Sequence, residues 1–517
     1  MLNYWWVTRP KRKLDSVPEV LATVASETLG NAWQGQKATQ LNVEEALERA
    51  GLKRAGERRD QSGGGARTYL AWLSSLGLLF RSGSEKTVRL TLAGEDILKG
   101  VSPVRVLTTQ IFRYQFPSPF SLSRSVSVSG RFRIRPFRFL FRLLADPRIG
   151  ELSQRELGLV VATEAETETN ECFERIVSRV LDFRNRGDSA LDSDFQERYA
   201  TSKESAGANP VANLLDIANT IMNWAEYTQL ARRNERRNLA IAPGRLSDVT
   251  NLLAIDPPFI ERPGDEEFFQ RKFGLGADHS KDTRNLSGGK TITPAMVAAS
   301  KIKTAFIAES CRMPISSITT QLVQKIAEQT GIVESVVEDV LQHDFPRGSI
   351  PGFLHSYYEM AFAGRDEATD FEVATTNLFR DVFGFSTKHI GPMGLTPDVL
   401  LLSHEGSYQA ILDNKAYREY NISNDHYNRM VTNYINGLSR YSNPNIPLAF
   451  FSYIAGGFNS HIEDRLSQIA TETKVNGSAM PIATFIRMIE SHLESPYTQE
   501  QVRNIFSVDR IVRLEDL

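Results

Sequence analysis

Cysteine is nearly absent: Cys172 and Cys311 are the only two in 517 residues. A disulfide framework and a cysteine zinc site are therefore excluded. An excess of either charge is also missing, with 60 basic against 62 acidic side chains and a formal net charge of −2. Whole-chain electrostatics thus neither favour nor oppose nucleic acid, and any basic face must be local. No apolar run approaches the roughly 20 residues of a membrane helix. The opening Met1-Leu2-Asn3-Tyr4-Trp5-Trp6, followed by Arg9-Pro10-Lys11-Arg12-Lys13, is no signal peptide. A soluble, cytoplasmic protein with no membrane partner is expected. A nucleotide loop is lacking as well. Ser287-Gly288-Gly289-Lys290-Thr291 ends like a phosphate-binding loop, but its first glycine would fall at 284, which is Arg284. No ATP requirement follows.

What is present centres on Thr396-Pro397-Asp398-Val399-Leu400-Leu401-Leu402 and Ala410-Ile411-Leu412-Asp413-Asn414-Lys415-Ala416-Tyr417. Each half reads as a short apolar strand with a carboxylate at one end, and Ser403 to Ser407 supply a turn between them. In such a hairpin Asp398 and Asp413 approach one another. The strand period of two puts Asp413 and Lys415 on one face and turns Asn414 to the other. Two carboxylates and an ammonium suit a Mg²⁺ ion that takes its remaining ligands from water and a substrate phosphate. Pro-Asp also starts ordinary strands, and Asp-x-Lys is also a plain solvated ion pair, so the flanking residues decide.

Those flanks resemble the FokI cleavage-domain family of type IIS restriction endonucleases. The similar stretches are Ser356-Tyr357-Tyr358-Glu359, Phe383-Gly384-Phe385, Lys388-His389, Pro397-Asp398, Ile411 to Tyr417, Tyr420-Asn421-Ile422, Leu448 to Ile454 with Gly456-Gly457-Phe458, and Thr498 to Phe506. The resemblance implies that Asp398 and Asp413 bind the metal, that Lys415 is the catalytic lysine, and that residue 414 offers its backbone carbonyl. Asn414 stands where the family has Thr, so its side chain is expected to matter little. Glu372, on a helix expected over 368–383, is a candidate accessory acid; glutamates on such helices more often face water. The expected helix over 424–440 corresponds to part of the family's dimer surface. Asp425 and Arg429, four apart on it, pair within the helix or across a two-fold axis, the former being the default.

The N-terminal region has a different grammar. Helical spacing over Val17 to Leu29 and Val43 to Ala50, a Gly63-Gly64-Gly65 breaker and an amphipathic Tyr69 to Leu79 precede a hairpin. The hairpin is Leu79-Phe80-Arg81 with Val88-Arg89-Leu90-Thr91, turning over 82–86, and a helix from Ala93 to Leu98 closes the unit. This is winged-helix-like, a shape that places a helix in the DNA major groove but also serves protein contacts. The pattern recurs as helix Val211 to Trp224, strand Thr228 to Arg233, a turn at Asn234-Glu235, strand Arg236 to Ile241 and helix Leu246 to Leu253. Arg232, Arg233, Arg236 and Arg237 at that hairpin, with Arg81 and Arg89 at the first, are candidate phosphate contacts; a merely soluble turn is the plainer account. Between them, Arg131 to Arg142 interleaves arginine with aromatics. Single-strand stacking is one reading. The better one is that Pro136 opens a helix whose Phe137, Leu140, Phe141 and Leu144 face a core, leaving its arginines free to face DNA. Phe112 to Pro119, Phe139 to Thr163 and Arg175 to Arg186 resemble the recognition region of AlwI-family restriction and nicking endonucleases.

The expected architecture is multidomain. A helix-rich DNA-recognition region over 1–265 has winged-helix-like parts near 1–100 and 205–265 and a helical segment over 101–190. A linker and helical connector over 266–345, with helices from 296, 318 and 333, leads to an α/β PD-(D/E)xK nuclease domain over 346–517. The expected function is a Mg²⁺-dependent type IIS endonuclease acting on double-stranded DNA. Transient homodimerisation through the cleavage domain and a companion DNA methyltransferase go with it. A strand-specific nicking enzyme and a non-cutting winged-helix regulator are the alternatives.

Overall fold

The computed structural model describes all residues except 29–30, 55–61, 84–85, 124–125, 200–208, 277, 287–291 and 392–393. The phosphate-loop look-alike at 287–291 and part of the first hairpin's turn fall outside the described residues. The chain forms two compact units, Met1–Ala308 with Thr320–Asp344 and Glu309–Thr319 with Phe345–Leu517.

The first unit starts with α1 (Val17–Thr28), α2 (Lys37–Arg49) and α3 (Gly64–Ser75), then β1 (Leu79–Ser82), β2 (Thr87–Leu90) and α4 (Leu92–Leu98). β1 and β2 pair antiparallel, with Leu79 opposite Leu90 and Ser82 opposite Thr87. Gly77, at φ +72°, ends the α3 segment, where a side chain would strike Gln110 Nε2. Thr91 caps α4: its hydroxyl accepts from Gly94 N and donates to Gly77 O. α5 (Pro103–Arg113) and α6 (Pro136–Ala145) follow. Phe137, Leu140, Phe141 and Leu144 of α6 are buried, as the spacing requires.

Next come β3 (Glu151–Leu152), α7 (Asn170–Arg186), α8 (Pro210–Tyr227), β4 (Ala231–Arg233), β5 (Leu239–Ile241) and α9 (Leu246–Ala254). The second hairpin has shorter strands and a longer turn than expected. Its turn runs through Arg237, at φ +64°, so Arg236 and Arg237 lie in the turn and not in a strand. Asn234 accounts for this: its N–H donates to Asn238 O, and its side chain accepts from Asn238 N. β5 also pairs with β3, and Glu151 accepts from the side chains of Asn234 and Asn238. α10 (Glu266–Phe273) packs on this unit through buried Phe269 and Phe273. α11 (Pro294–Ser310), α12 (Thr320–Thr330) and α13 (Glu334–Asp344) are the helices whose spacing starts at 296, 318 and 333.

The second unit is built on a mixed six-stranded sheet. Its elements are α14 (Leu354–Met360), α15 (Ala368–Asp381), β6 (Ser386–His389), β7 (Val399–Ser403) and β8 (Tyr408–Asn414). Then come α16 (Asn424–Asn428), β9 (Leu448–Ala455), α17 (Ile462–Thr473), β10 (Asn476–Pro481), α18 (Ile482–Glu494), α19 (Gln499–Phe506) and β11 (Arg510–Ile511). The β7–β8 hairpin has Val399 opposite Leu412 and Ser403 opposite Tyr408. Every residue of β8 is buried, because the strand is central and both of its faces are covered. Ala410 and Leu412 face one core with α15 and α18, while Ile411 faces a second core with α17. β8 to β11 run parallel, and Gly477 of β10 sits over Phe451, where a Cβ would overlap the ring. The helix expected over 424–440 is α16 continued by a wider π-type coil, Arg429–Ile435, and a short 3₁₀ turn, Leu438–Arg440.

Candidate active site

Pro397 and Asp398 lead into β7, and the backbone fixes the acid before any side chain acts. Asp398 N–H donates to Leu412 O at 3.1 Å, and Asp398 O accepts from Ile390 N at 2.8 Å. One carboxylate oxygen, Oδ2, accepts from Asn414 N at 2.6 Å. Across the hairpin, Asp413 Oδ2 pairs with Lys415 Nζ at 2.6 Å, the side chains being 4% and 16% exposed. The other oxygen, Asp413 Oδ1, is buried with no hydrogen-bond partner. Asp398, Asp413 and Lys415 thus converge on one end of the hairpin, as strand alternation predicts.

Glu372 is there too. It projects from α15 and its Oε2 lies 2.8 Å from His389 Nε2, on β6. A Cβ on Gly391 would sit 2.7 Å from Glu372 Oε2 and 3.6 Å from Asp398 Oδ1, so a glycine at 391 leaves these two acids room. The acids repel. Desolvation and then the Asp413 charge raise the Asp398 pKa well above the ordinary carboxylate value. Desolvation works against the Lys415 charge, but Asp413, Asp398 and Glu372 together hold its ammonium above the usual range. Negative charge is therefore in excess over one lysine, and one buried carboxylate oxygen is unsatisfied.

That imbalance fits a divalent cation. Among the described residues no group of three or more His, Cys, Asp or Glu side chains is arranged to hold a metal alone. Mg²⁺ asks for less: one or two carboxylates, with waters and substrate oxygens completing its shell. Asp398 and Asp413 supply that number of carboxylates. The Asn414 side chain, expected to matter little, has a partner in the core. It is buried, and its Nδ2 donates to Thr375 Oγ1 at 2.6 Å. His389 and Thr375 were missed from sequence; the Lys388-His389 pair was visible only as part of a family resemblance.

The candidate DNA-contacting arginines divide by occupancy. Arg81 grips Glu266 with Nε and Nη2 at 3.0 and 2.8 Å. Arg233 is bound to Glu226, Asn219 and Asn223. Arg89 and Arg232 are half-buried. Arg236 is 84% exposed, with Glu151 Oε1 4.0 Å from its Nη1, and Arg237 is exposed beside it, so both remain open to solvent. The α6 arginines are not free to face DNA as expected. Arg135 pairs with Glu168 and Asp256, Arg138 donates to the carbonyls of Leu252, Leu253 and Ile255, and Arg142 donates to Glu168 O and Asn170. The carbonyls Arg138 takes are those at the end of α9, which have no intrahelical partner. Sequence reading also missed a cleft of about 960 Å³ lined by Arg113, Phe259, Phe268, Arg271, Lys272 and Lys281, because its residues come from distant segments. Asp425 and Arg429 pair within their helix at 2.9 Å, the default arrangement.

The chain is similar to known proteins in sequence and in structure. The type II restriction enzyme StsI of Streptococcus sanguinis is 25% identical over 149 residues, 26% of this chain and 24% of that protein. The matched stretch thus spans about a quarter of that enzyme's length. Two solved structures of the restriction endonuclease FokI, free and bound to DNA, align at 14% identity over 98% and 99% of this chain and 99% of each of theirs. Their TM-scores are 0.29 and 0.28. Residues 331–513, which contain Glu372, His389, Asp398, Asp413 and Lys415, match the family model of the FokI cleavage domain.

Proposed function

We propose that this chain is a site-specific DNA nuclease of the type IIS restriction class. The first unit binds a short asymmetric sequence in double-stranded DNA, and the C-terminal unit hydrolyses phosphodiester bonds at a fixed distance to one side. The observation that carries this reading is the end of the β7–β8 hairpin. There an unpartnered Asp413 oxygen, a charge-strained Asp398 and Lys415 meet inside the stretch similar to the FokI cleavage domain.

In this reading Asp398, Asp413 and the Asn414 carbonyl hold Mg²⁺. When bound, the ion lowers the pKa of a water and offsets charge on the phosphoryl oxygens. Lys415, kept charged by its acidic neighbours, orients the attacking water and steadies the pentacovalent phosphorus as charge builds on it. Glu372, with His389 against it, is an accessory acid at the rim. The three helices, hairpin and closing helix of residues 17–98 act as a winged helix on DNA, and the AlwI-like stretches contribute to recognition. Arg236 and Arg237 are the phosphate contacts best supported by exposure, ahead of Arg81, Arg89, Arg232 and Arg233. One hairpin site cuts one strand, so a double-strand break requires two cleavage units, which pair transiently on DNA. A companion DNA methyltransferase protects the host's own sites, and the enzyme works in the cytoplasm.

Digestion of supercoiled plasmid with Mg²⁺, followed by sequencing of the ends, tests this. Breaks at a constant offset from one short asymmetric sequence are expected. Nicked circles that persist without becoming linear would replace the double-strand reading with the nicking one. Sequence-specific binding with no cleavage at any Mg²⁺ concentration would favour a regulator.

A further inference from the structure

The strand that turns Asp413 and Lys415 toward the site turns Asn414 away from it, into the core beneath α15. There Asn414 Nδ2 donates to Thr375 Oγ1 at 2.6 Å. The Thr375 hydroxyl spends its single proton on Phe371 O, one helical turn back, at 2.8 Å. It is therefore an acceptor toward both remaining neighbours, and Tyr357 OH, on α14, fills its second lone pair at 2.7 Å. Tyr357 and Thr375 are fully buried and Asn414 is 7% exposed. Phe371, Ala374 and Leu412 are among the side chains of that core. A hydroxyl with every donor and acceptor position used, in apolar surroundings, is a rigid joint between three elements.

The other side of the same peptide belongs to the site. Asn414 N–H holds Asp398 Oδ2 at 2.6 Å, while Lys415 N–H is tied to Ile454 O at 2.8 Å. α15 also carries Glu372 one turn before Thr375, and Thr376 Oγ1 donates back to Glu372 O at 2.8 Å. A shift of the Asn414 backbone would move the N–H that orients Asp398 and, through the next peptide, the 414 carbonyl. It would also uncouple the hairpin from the helix bearing Glu372.

We propose that Tyr357, Thr375 and the Asn414 side chain are positioning residues for the cation site: they fix the 414 peptide, and through it the Asp398 carboxylate and the α15 acid, in metal-accepting geometry. This rests on the reading of Asp398 and Asp413 as metal-binding acids. None of the three side chains touches the substrate or the ion.

The test uses the full chain. Thr375→Val is nearly isosteric and leaves Asn414 Nδ2 and Tyr357 OH buried without an acceptor, whereas Thr375→Ser keeps the hydroxyl. Mn²⁺ binding is followed by electron paramagnetic resonance of the free ion, alongside the Mg²⁺ half-saturation point and the KM for plasmid DNA. Loss of such an outer support should weaken Mn²⁺ binding by about 10–100-fold. The Mg²⁺ half-saturation point should rise by the same factor and KM for DNA should hold. Thr375→Ser should restore wild-type behaviour, and Tyr357→Phe, which removes one donor and orphans none, should fall between. If Thr375→Val does not fold, Tyr357→Phe decides by the direction of its Mn²⁺ shift. Unchanged Mn²⁺ binding in a variant with only a lowered unfolding midpoint would overturn the proposal. Asp413→Ala separates the two readings. Cleavage by that variant would remove the metal-site reading and the positioning role with it. A silent Asp413→Ala beside a Thr375→Val with wild-type metal binding would remove the positioning role alone.

Discussion

At the residue scale, the site is a place where charge is held against its preference. Asp398 has its pKa raised by desolvation and by Asp413, so the native protein keeps a proton that the unfolded chain, with an ordinary value of 3.8, has lost. Native protons in excess over unfolded ones mean that stability falls as pH rises from 3.8 through the raised native value, and is flat beyond it. Asp398→Asn should therefore be inactive yet more stable than the wild type at neutral pH in chelator. The gain should vanish on titration below 3.8, and thermal unfolding against pH reads both limbs. Equal midpoints at neutral pH would show that Asp398 is not strained. The same pKa makes protons compete with the cation, so the Mg²⁺ needed for half-maximal cleavage should rise as pH falls. Lys415→Ala removes the ammonium that Asp413 anchors, and kcat should drop by about 10²–10⁴-fold with DNA affinity held. Single-turnover cleavage beside a binding titration checks it.

At the scale of elements, most of the site's scaffold was legible because its signals are local. The β7–β8 hairpin follows from two apolar runs around a glycine turn, and the period of two places Asp413 and Lys415 together without further input. α17, Ile462–Thr473, buries Ile462, Leu466 and Ile469, which recur at helical spacing. What escaped was set by residues distant in sequence. α18 is an exception, unread although Ile482, Phe485, Ile486 and Ile489 have helical spacing. β6 has no apolar alternation and exists because β7 pairs with it. The pairings of Arg81 with Glu266 and of Arg233 with Glu226 also escaped, because such ion pairs cannot be matched from sequence. Two substitutions test the elements themselves. Gly477→Ala forces a Cβ onto Phe451 and should cost about 1–3 kcal/mol in urea unfolding. Thr91→Ala removes the α4 cap and should cost about 1 kcal/mol by the same measurement. A neutral result for either would mean the strand or the cap relaxes in a way this packing does not allow.

At the scale of the whole molecule, the balanced net charge places DNA affinity in local features, and the Arg236–Arg237 turn is the exposed pair among the candidates. Replacing both with Gln should weaken binding to any duplex. The slope of log affinity against log salt should fall by about 1 for each phosphate that is no longer neutralised. Titrations at several salt concentrations give the slope, and an unchanged one would move the DNA-binding surface elsewhere, the Arg113–Lys281 cleft being the next place to mutate. In the proposed function the carboxylates of the β7–β8 hairpin perform phosphodiester cleavage while other parts of the chain hold the DNA. Its most direct test is Asp413→Ala beside the wild type, with Mg²⁺-dependent plasmid cleavage and duplex binding measured on the same preparations. Cleavage at one fixed offset by the wild type, none by the variant, and equal binding by both are expected. Cleavage by Asp413→Ala at the wild-type positions would contradict it.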